Sequence, residues 1–182
     1  MRLFIGIPLA DEVVSVLEHL SHRLRATGED LRWSSPDTWH ITLQFLGETS
    51  LEKYGCLVPR LGEIRSPRVP VWLSGTGTFE RAGVFFAGVN VSSELRQLEK
   101  QVVAGTAKCG VVAEDRPYHP HVTLARAKGH DRMRILRALQ SRVQAKVEFP
   151  PFTATEFLLY EAFPGPGGSR YEVRERFPLG HG

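Results

Sequence analysis

His40-Ile41-Thr42-Leu43 and His121-Val122-Thr123-Leu124 are one four-residue phrase written twice, 81 positions apart. Side chains on an extended chain alternate between two faces, so each copy reads as a strand with His and Thr on one side and two aliphatic residues on the other. The same shift lays Phe4 on Phe85, Leu17 on Leu98 and Glu18 on Glu99. Single identities carry little weight. A shared order of elements around a shared phrase is the signature of a duplicated supersecondary unit.

On either side of the phrase, the elements repeat. An apolar strand (residues 3–7 and 84–91) leads into an amphipathic helix. The first helix has Val13, Val16, Leu17, Leu20 and Leu24 on one face with Asp11 as its cap, and the second has Leu95, Leu98 and Val102 behind Ser92-Ser93. After each His-x-Thr strand comes a further helical pattern: Leu51, Tyr54, Leu57 and Leu61 behind Thr49-Ser50, then Ile135, Leu136, Leu139 and Val143 behind Asp131. Pro59 weakens the earlier one, since an interior proline usually ends or kinks a helix. A final strand closes each half, at residues 69–79 and 152–160, and Gly165-Pro166-Gly167-Gly168 turns the chain into a last strand at 171–177. The expected fold is α+β and bilobal over residues 1–182: a single two-lobed domain, each lobe an antiparallel sheet with two flanking helices, related by a pseudo-two-fold axis, with a cleft between them.

The 182 residues include 42% hydrophobic and 24% charged side chains, enough for a buried core. No apolar run approaches the roughly 20 residues a membrane-spanning helix needs, and the N-terminus lacks a cleavage pattern before Asp11-Glu12. Cys56 and Cys109 have no CxxC spacing and fall in helical segments, so neither a zinc knuckle nor a disulfide framework is expected, and a reducing cytoplasm fits. The net charge of +3 is uneven: residues 1–81 carry −1 and residues 82–182 carry +4. Arg126, Lys128, Arg132, Arg134, Arg137, Arg142 and Lys146 stand against Asp131 alone, a density suited to polyanions as well as to a solvated helix face.

Two imidazoles and two hydroxyls converging on one cleft suit phosphoryl transfer. In-line displacement at phosphorus needs a base on the entering oxygen and an acid on the leaving one, and groups with an ordinary pKa near 6.5 can share one proton at neutral pH. Thr42, Thr123 and the guanidinium of Arg126 supply donors for the equatorial oxygens. Arg126 stands five residues after His121, and Phe45 holds the corresponding place after His40. There an aromatic ring can stack on a base, or simply pack into the core beside Leu46. Gly75-Thr76-Gly77 lacks the third glycine and helix of a nucleotide loop.

These residues also carry a resemblance. The doubled phrase, with Phe45-Leu46-Gly47-Glu48 after the first copy and Ala125-Arg126 after the second, resembles the two-histidine (2H) phosphoesterase superfamily. Within it the chain is similar to the bacterial and archaeal RNA 2′,3′-cyclic phosphodiesterases, also called 2′,5′ RNA ligases. The resemblance runs from Phe4-Ile5-Gly6-Ile7 to Tyr171-Glu172-Val173. It implies metal-independent opening of a terminal 2′,3′-cyclic phosphate on RNA, or of a cyclic nucleotide, to a 2′-phosphate. No cofactor is implied, and some relatives join or cleave 2′,5′ linkages. Carried over, His121 is the general base and His40 the general acid, with Thr42, Thr123 and Arg126 on the phosphate. The symmetry of the motif leaves the two histidine roles interchangeable. Two positions depart from the family pattern: His119 stands where an arginine is usual, and Ala162 where a serine is.

Two other readings compete. His40, His119 and His121 could furnish three nitrogens for a catalytic zinc, although neither motif holds an acidic residue. A nucleic-acid-binding module without turnover would use the fold and the basic face alone. His19, His22, His130 and His181 are assigned no role. Trp33, Trp39 and Trp72 are expected in the core or lining the cleft, Trp39 being buried. A cleft completed within one chain needs no second copy, so a monomer is expected.

Overall fold

The computed structural model describes residues 1–25, 31–143 and 146–180. Four helices and ten strands occur in the order β1 (Arg2–Pro8), α1 (Asp11–Arg25), β2 (Leu31–Trp33), β3 (His40–Glu48), α2 (Leu51–Gly62), β4 (Val69–Val71), β5 (Leu73–Phe79), β6 (Val84–Val89), α3 (Ser93–Ala107), β7 (His121–Ala127), α4 (Arg132–Arg142), β8 (Phe152–Ala154), β9 (Glu156–Gly165) and β10 (Gly168–Pro178) among the described residues. They build two four-stranded antiparallel sheets, β10-β9-β1-β3 and β2-β7-β6-β5, with β4 and β8 as a separate pair. The α+β bilobal architecture is as expected from the sequence.

The helices start where polar caps free the chain to turn. The Ser50 hydroxyl accepts from the Lys53 N–H at 3.1 Å, and the Ser92 hydroxyl accepts from the Leu95 N–H at 3.1 Å. Asp11 is not the cap of α1 but its first residue. The Ala10 carbonyl accepts the first turn's N–H groups, and the acidic pair Asp11 and Glu12 lies at the positive end of the helix dipole. Pro59 stands in the last turn of α2, which stops at Gly62, in keeping with a proline that ends its helix. Leu57 and Leu61 are buried, whereas Leu51, read as part of the same stripe, is 81% exposed.

The closing strands do not close their own halves. The segment 69–79 breaks at Trp72, and β5 pairs with β6 of the second half; 152–160 breaks at Thr155, and β9 pairs with β1 of the first. Between these exchanged strands, β4 pairs with β8 through Val69 opposite Ala154 and Val71 opposite Phe152. The short β2 crosses as well, adding Leu31 to Trp33 to the β7 edge. Each sheet therefore contains chain from both halves. One buried apolar cluster runs through both lobes, including Ile5, Leu17, Ile41, Phe85, Leu98, Val122, Leu136 and Phe157. Helices α2 and α3 lie against the first sheet and α4 against the second. Trp39 is buried as expected, but Trp72, at the break, is 39% exposed and outside the core.

The cysteine expectation is overturned. Cys56 of α2 and Cys109, just beyond α3, form a disulfide with their Cα atoms 5.8 Å apart. Helical placement is no obstacle, because α2 and α3 pack side by side and bring residues 53 apart in sequence together. The cysteines thus give no argument for a reducing compartment. No helix among the described residues is long and apolar enough to cross a membrane.

Candidate active site

Strand alternation places His40 with Thr42 and His121 with Thr123, each partly exposed, while Ile41, Leu43, Val122 and Leu124 are buried. By the same alternation, Phe45 and Arg126, five residues after their histidines, would face the other way. Two β-bulges reverse this. Opposite β1 the register passes from Gln44 to Thr42 and skips Leu43; opposite β6 it passes from Ala125 to Thr123 and skips Leu124. The extra residue shifts the parity of the rest of each strand. Gln44 and Ala125 turn inward, and Phe45 (57% exposed) and Arg126 emerge on the histidine face.

The two histidines are oriented alike. A carbonyl can only accept, so His40 Nδ1–H donates to the Thr38 carbonyl at 2.8 Å and His121 Nδ1–H to the His119 carbonyl at 2.9 Å. This fixes both tautomers and makes Nε2 the accepting nitrogen of each ring. The Thr42 hydroxyl donates to His40 Nε2 at 3.1 Å. Burial brings the His40 pKa down to about 4, with the His121 ring adding like-charge repulsion against the opposing help of the Thr38 carbonyl. Burial also lowers His121, aided by the positive charges of His119 and Arg126 and opposed by the His119 carbonyl. The field of His121 is thus felt at His40, where it disfavours the cation.

Aromatic rings that were given no site role from the sequence form the floor. Phe4, Tyr171 and Tyr160 surround His40 at ring-centre distances of 4.6, 5.3 and 5.7 Å, and Phe79 and Phe86 flank His121 at 5.0 and 5.3 Å. Period-two spacing on β1 and on the last two strands is the available signal. The Tyr118 hydroxyl donates to the Thr42 carbonyl at 3.1 Å, tying the approach to β7 onto β3.

A cleft of about 750 Å³ opens beside this pair, lined in part by Thr42, Phe45, Phe79, His119 and His121. His40, Thr123 and Arg126 are not among the side chains lining it. His119 faces it from an exposed position, edge-on to Phe79 with ring centres 5.1 Å apart. Among the described residues no three His, Cys, Asp or Glu side chains are placed to hold a metal ion, so His40, His119 and His121 do not form a ligand set for zinc. His181 lies outside the described residues. The basic stretch is partly committed to ion pairs: Arg137 forks onto Glu80 at 2.8 and 2.9 Å, and Arg134 reaches Asp131 at 3.6 Å.

Comparison with known proteins bears on the fold and the family. The family model of the 2′-5′ RNA ligase superfamily matches residues 13–162. The RNA 2′,3′-cyclic phosphodiesterase of Escherichia coli (strain K12) is 31% identical over 98% of this chain and 96% of its own length. The crystal structure of E. coli LigT in apo form superposes with a TM-score of 0.78 at 29% identity, covering 98% of this chain and 97% of that one. E. coli LigT complexed with 3′-AMP superposes with 0.77 at 30% identity, over 98% and 97%. A doubled His-x-Thr strand pair, on two sheets that exchange strands, is thus found where the family model and the full-length relatives also coincide, and the chain belongs to the 2′-5′ RNA ligase superfamily of two-histidine phosphoesterases.

Proposed function

We propose that the protein is a hydrolase that opens the 2′,3′-cyclic phosphate at an RNA end, leaving a 2′-phosphate and a free 3′-hydroxyl. The observation that carries this reading is the matched pair of Nε2 atoms, each held in one tautomer by the carbonyl two residues before it. His121 takes a proton from water as its oxygen bonds to phosphorus. The bond from phosphorus to O3′ breaks on the opposite side, and His40 delivers a proton to that oxygen. Thr42, Thr123 and Arg126 hold the phosphate oxygens, and Phe45 stacks on the terminal base. A 5′-hydroxyl attacking in place of water gives a 2′,5′ linkage by the same step. These roles need no metal, no cofactor and no second copy of the chain.

In the free protein both imidazoles are depressed and so largely neutral at pH 7. The cyclic phosphate brings a negative charge between them, which favours the protonated form and loads the acid as substrate arrives. The test is hydrolysis of an RNA with a 2′,3′-cyclic end in excess chelator, with the product isomer identified. A 2′-phosphate, abolished by either His40→Ala or His121→Ala, is expected. Loss of turnover to the chelator, or tight RNA binding with no turnover, would overturn the reading.

A further inference from the structure

The cleft is lined by more residues than those assigned above to the terminal nucleotide. Besides Thr42, Phe45 and His121, it is lined by Glu80 and Arg81 of the turn that joins β5 to β6 and by Glu99 and Val103 of α3, and these four form its extension beyond the motif strands. At about 750 Å³ it lies high in the range of roughly 300–1,000 Å³ usual for small-molecule sites. The charges along this extension are unequally engaged. Glu80 is neutralised by the two-pronged bond from Arg137, and Arg116 is paired with Glu114 at 2.7 Å. Arg81, exposed in the same turn as Glu80, makes no hydrogen bond or ion pair with any described residue. Glu99 on α3 is half-buried and likewise hydrogen-bonds to no described side chain, and its burial raises its pKa against the opposing charges of Arg96 and Lys100.

The geometry points to a second nucleotide subsite in this extension, taking the residue on the 5′ side of the terminal nucleotide. It rests on the hydrolase reading above. An uncommitted guanidinium at the lip is placed for the phosphodiester that joins the two nucleotides. The wall behind it, apolar at Val103 with one carboxylate at Glu99, is suited to a base rather than to a phosphate. Burial against Val103 covers the base face, and a carboxylate accepts hydrogen bonds from base N–H groups while repelling the backbone. Neutralisation of Glu80 by Arg137 removes the one negative charge adjoining Arg81 in sequence, so the lip attracts an anion. The enzyme thereby reads at least two nucleotides, and the class of substrate it favours is an oligonucleotide end rather than a free cyclic mononucleotide.

The test compares kcat and KM for a 2′,3′-cyclic mononucleotide and for a dinucleotide with the same cyclic end. In the unmodified protein the dinucleotide is expected to have a kcat/KM at least tenfold higher, mostly through KM. Arg81→Ala should cut that advantage at least fivefold, Arg81→Lys should retain most of it, and Glu99→Gln should change the ranking of dinucleotides that differ only in the 5′ base. Equal kcat/KM for the two substrates, or an Arg81→Ala loss that is the same for both, would overturn the subsite and leave the hydrolase reading standing. No turnover of either substrate by the unmodified protein would overturn both.

Discussion

Gly6 on β1 lies directly opposite Thr42 and beneath the His40 ring. A Cβ there would come 2.9 Å from the Ile41 carbonyl oxygen, 3.2 Å from His40 Cδ2 and 3.5 Å from Tyr160 Cε2. Ordinary contact begins at 3.4 Å, so the backbone contact is short by about 0.5 Å and the imidazole must give way as well. Overpacking of this kind costs about 1–3 kcal/mol, which for a chain of this length lowers Tm by roughly 2–12 °C. Catalysis should suffer more than the fold does. A misplacement near 1 Å costs about 100-fold, so Gly6→Ala should lower kcat on a 2′,3′-cyclic substrate by roughly tenfold. The assay pairs steady-state kinetics below the melting range with thermal unfolding. Gly55→Ala is the control, since its Cβ meets nothing within 4 Å and the residue is remote from the cleft. If Gly6→Ala keeps kcat within twofold of the unmodified protein, His40 does not depend on its seat over β1 and the reasoning fails.

The pH profile is set by the two lowered histidines. A pair that must hold one proton works best midway between its two pKa values, and with both depressed the kcat/KM optimum falls below pH 6.5, whereas kcat, read in the complex with an anion present, should peak at higher pH. A kcat/KM optimum at or above pH 7 would contradict this. For the disulfide, closing a loop across a separation of 53 residues gives about 4 kcal/mol from chain entropy. Cys56→Ser should therefore lower Tm by roughly 8–16 °C without reductant; a reductant should lower the unmodified protein comparably, and unchanged melting under reduction would refute the linkage.

The sequence made the parts legible and left their pairing hidden. His-x-Thr alternation is readable because it depends only on the two-residue period of a strand, and Ser50 and Ser92 mark helix starts through their hydroxyls. Phe45 and Arg126 stand out as counterparts across the repeat, yet simple alternation puts both on the wrong face. The bulges at Leu43 and Leu124 that correct this involve ordinary aliphatic residues, with no glycine to flag them. Strand exchange is equally hidden, because hydrophobic periodicity says which face is buried and nothing about the neighbour. The three residues of β2 are too few to show a period at all. The alignment of Phe4 with Phe85 is off by one in space. Phe4 lies opposite Phe45, and the residue opposite Arg126 is Val84, so β1 and β6 correspond at an offset of 80 while the histidine strands keep 81.

That one-residue slip is what makes the two halves of the site unequal. At the register position opposite the motif threonine, β1 has Gly6 and β6 has Phe86. The bare glycine lets the His40 ring settle onto the backbone of its own sheet, enclosed by Phe4, Tyr160 and Tyr171, where an imidazolium loses most of its water. The phenylalanine instead sets a ring beside His121, whose pKa is lowered first by burial, less completely than at His40, and then by the charges of His119 and Arg126. Desolvation penalises a lone cation, but it also strengthens the attraction to an anion brought alongside. His40 is therefore the histidine whose proton affinity should rise most when a phosphate arrives. On the proposed roles, the acid is charged by its own substrate, and a motif symmetric in sequence becomes directional through the residue beneath it.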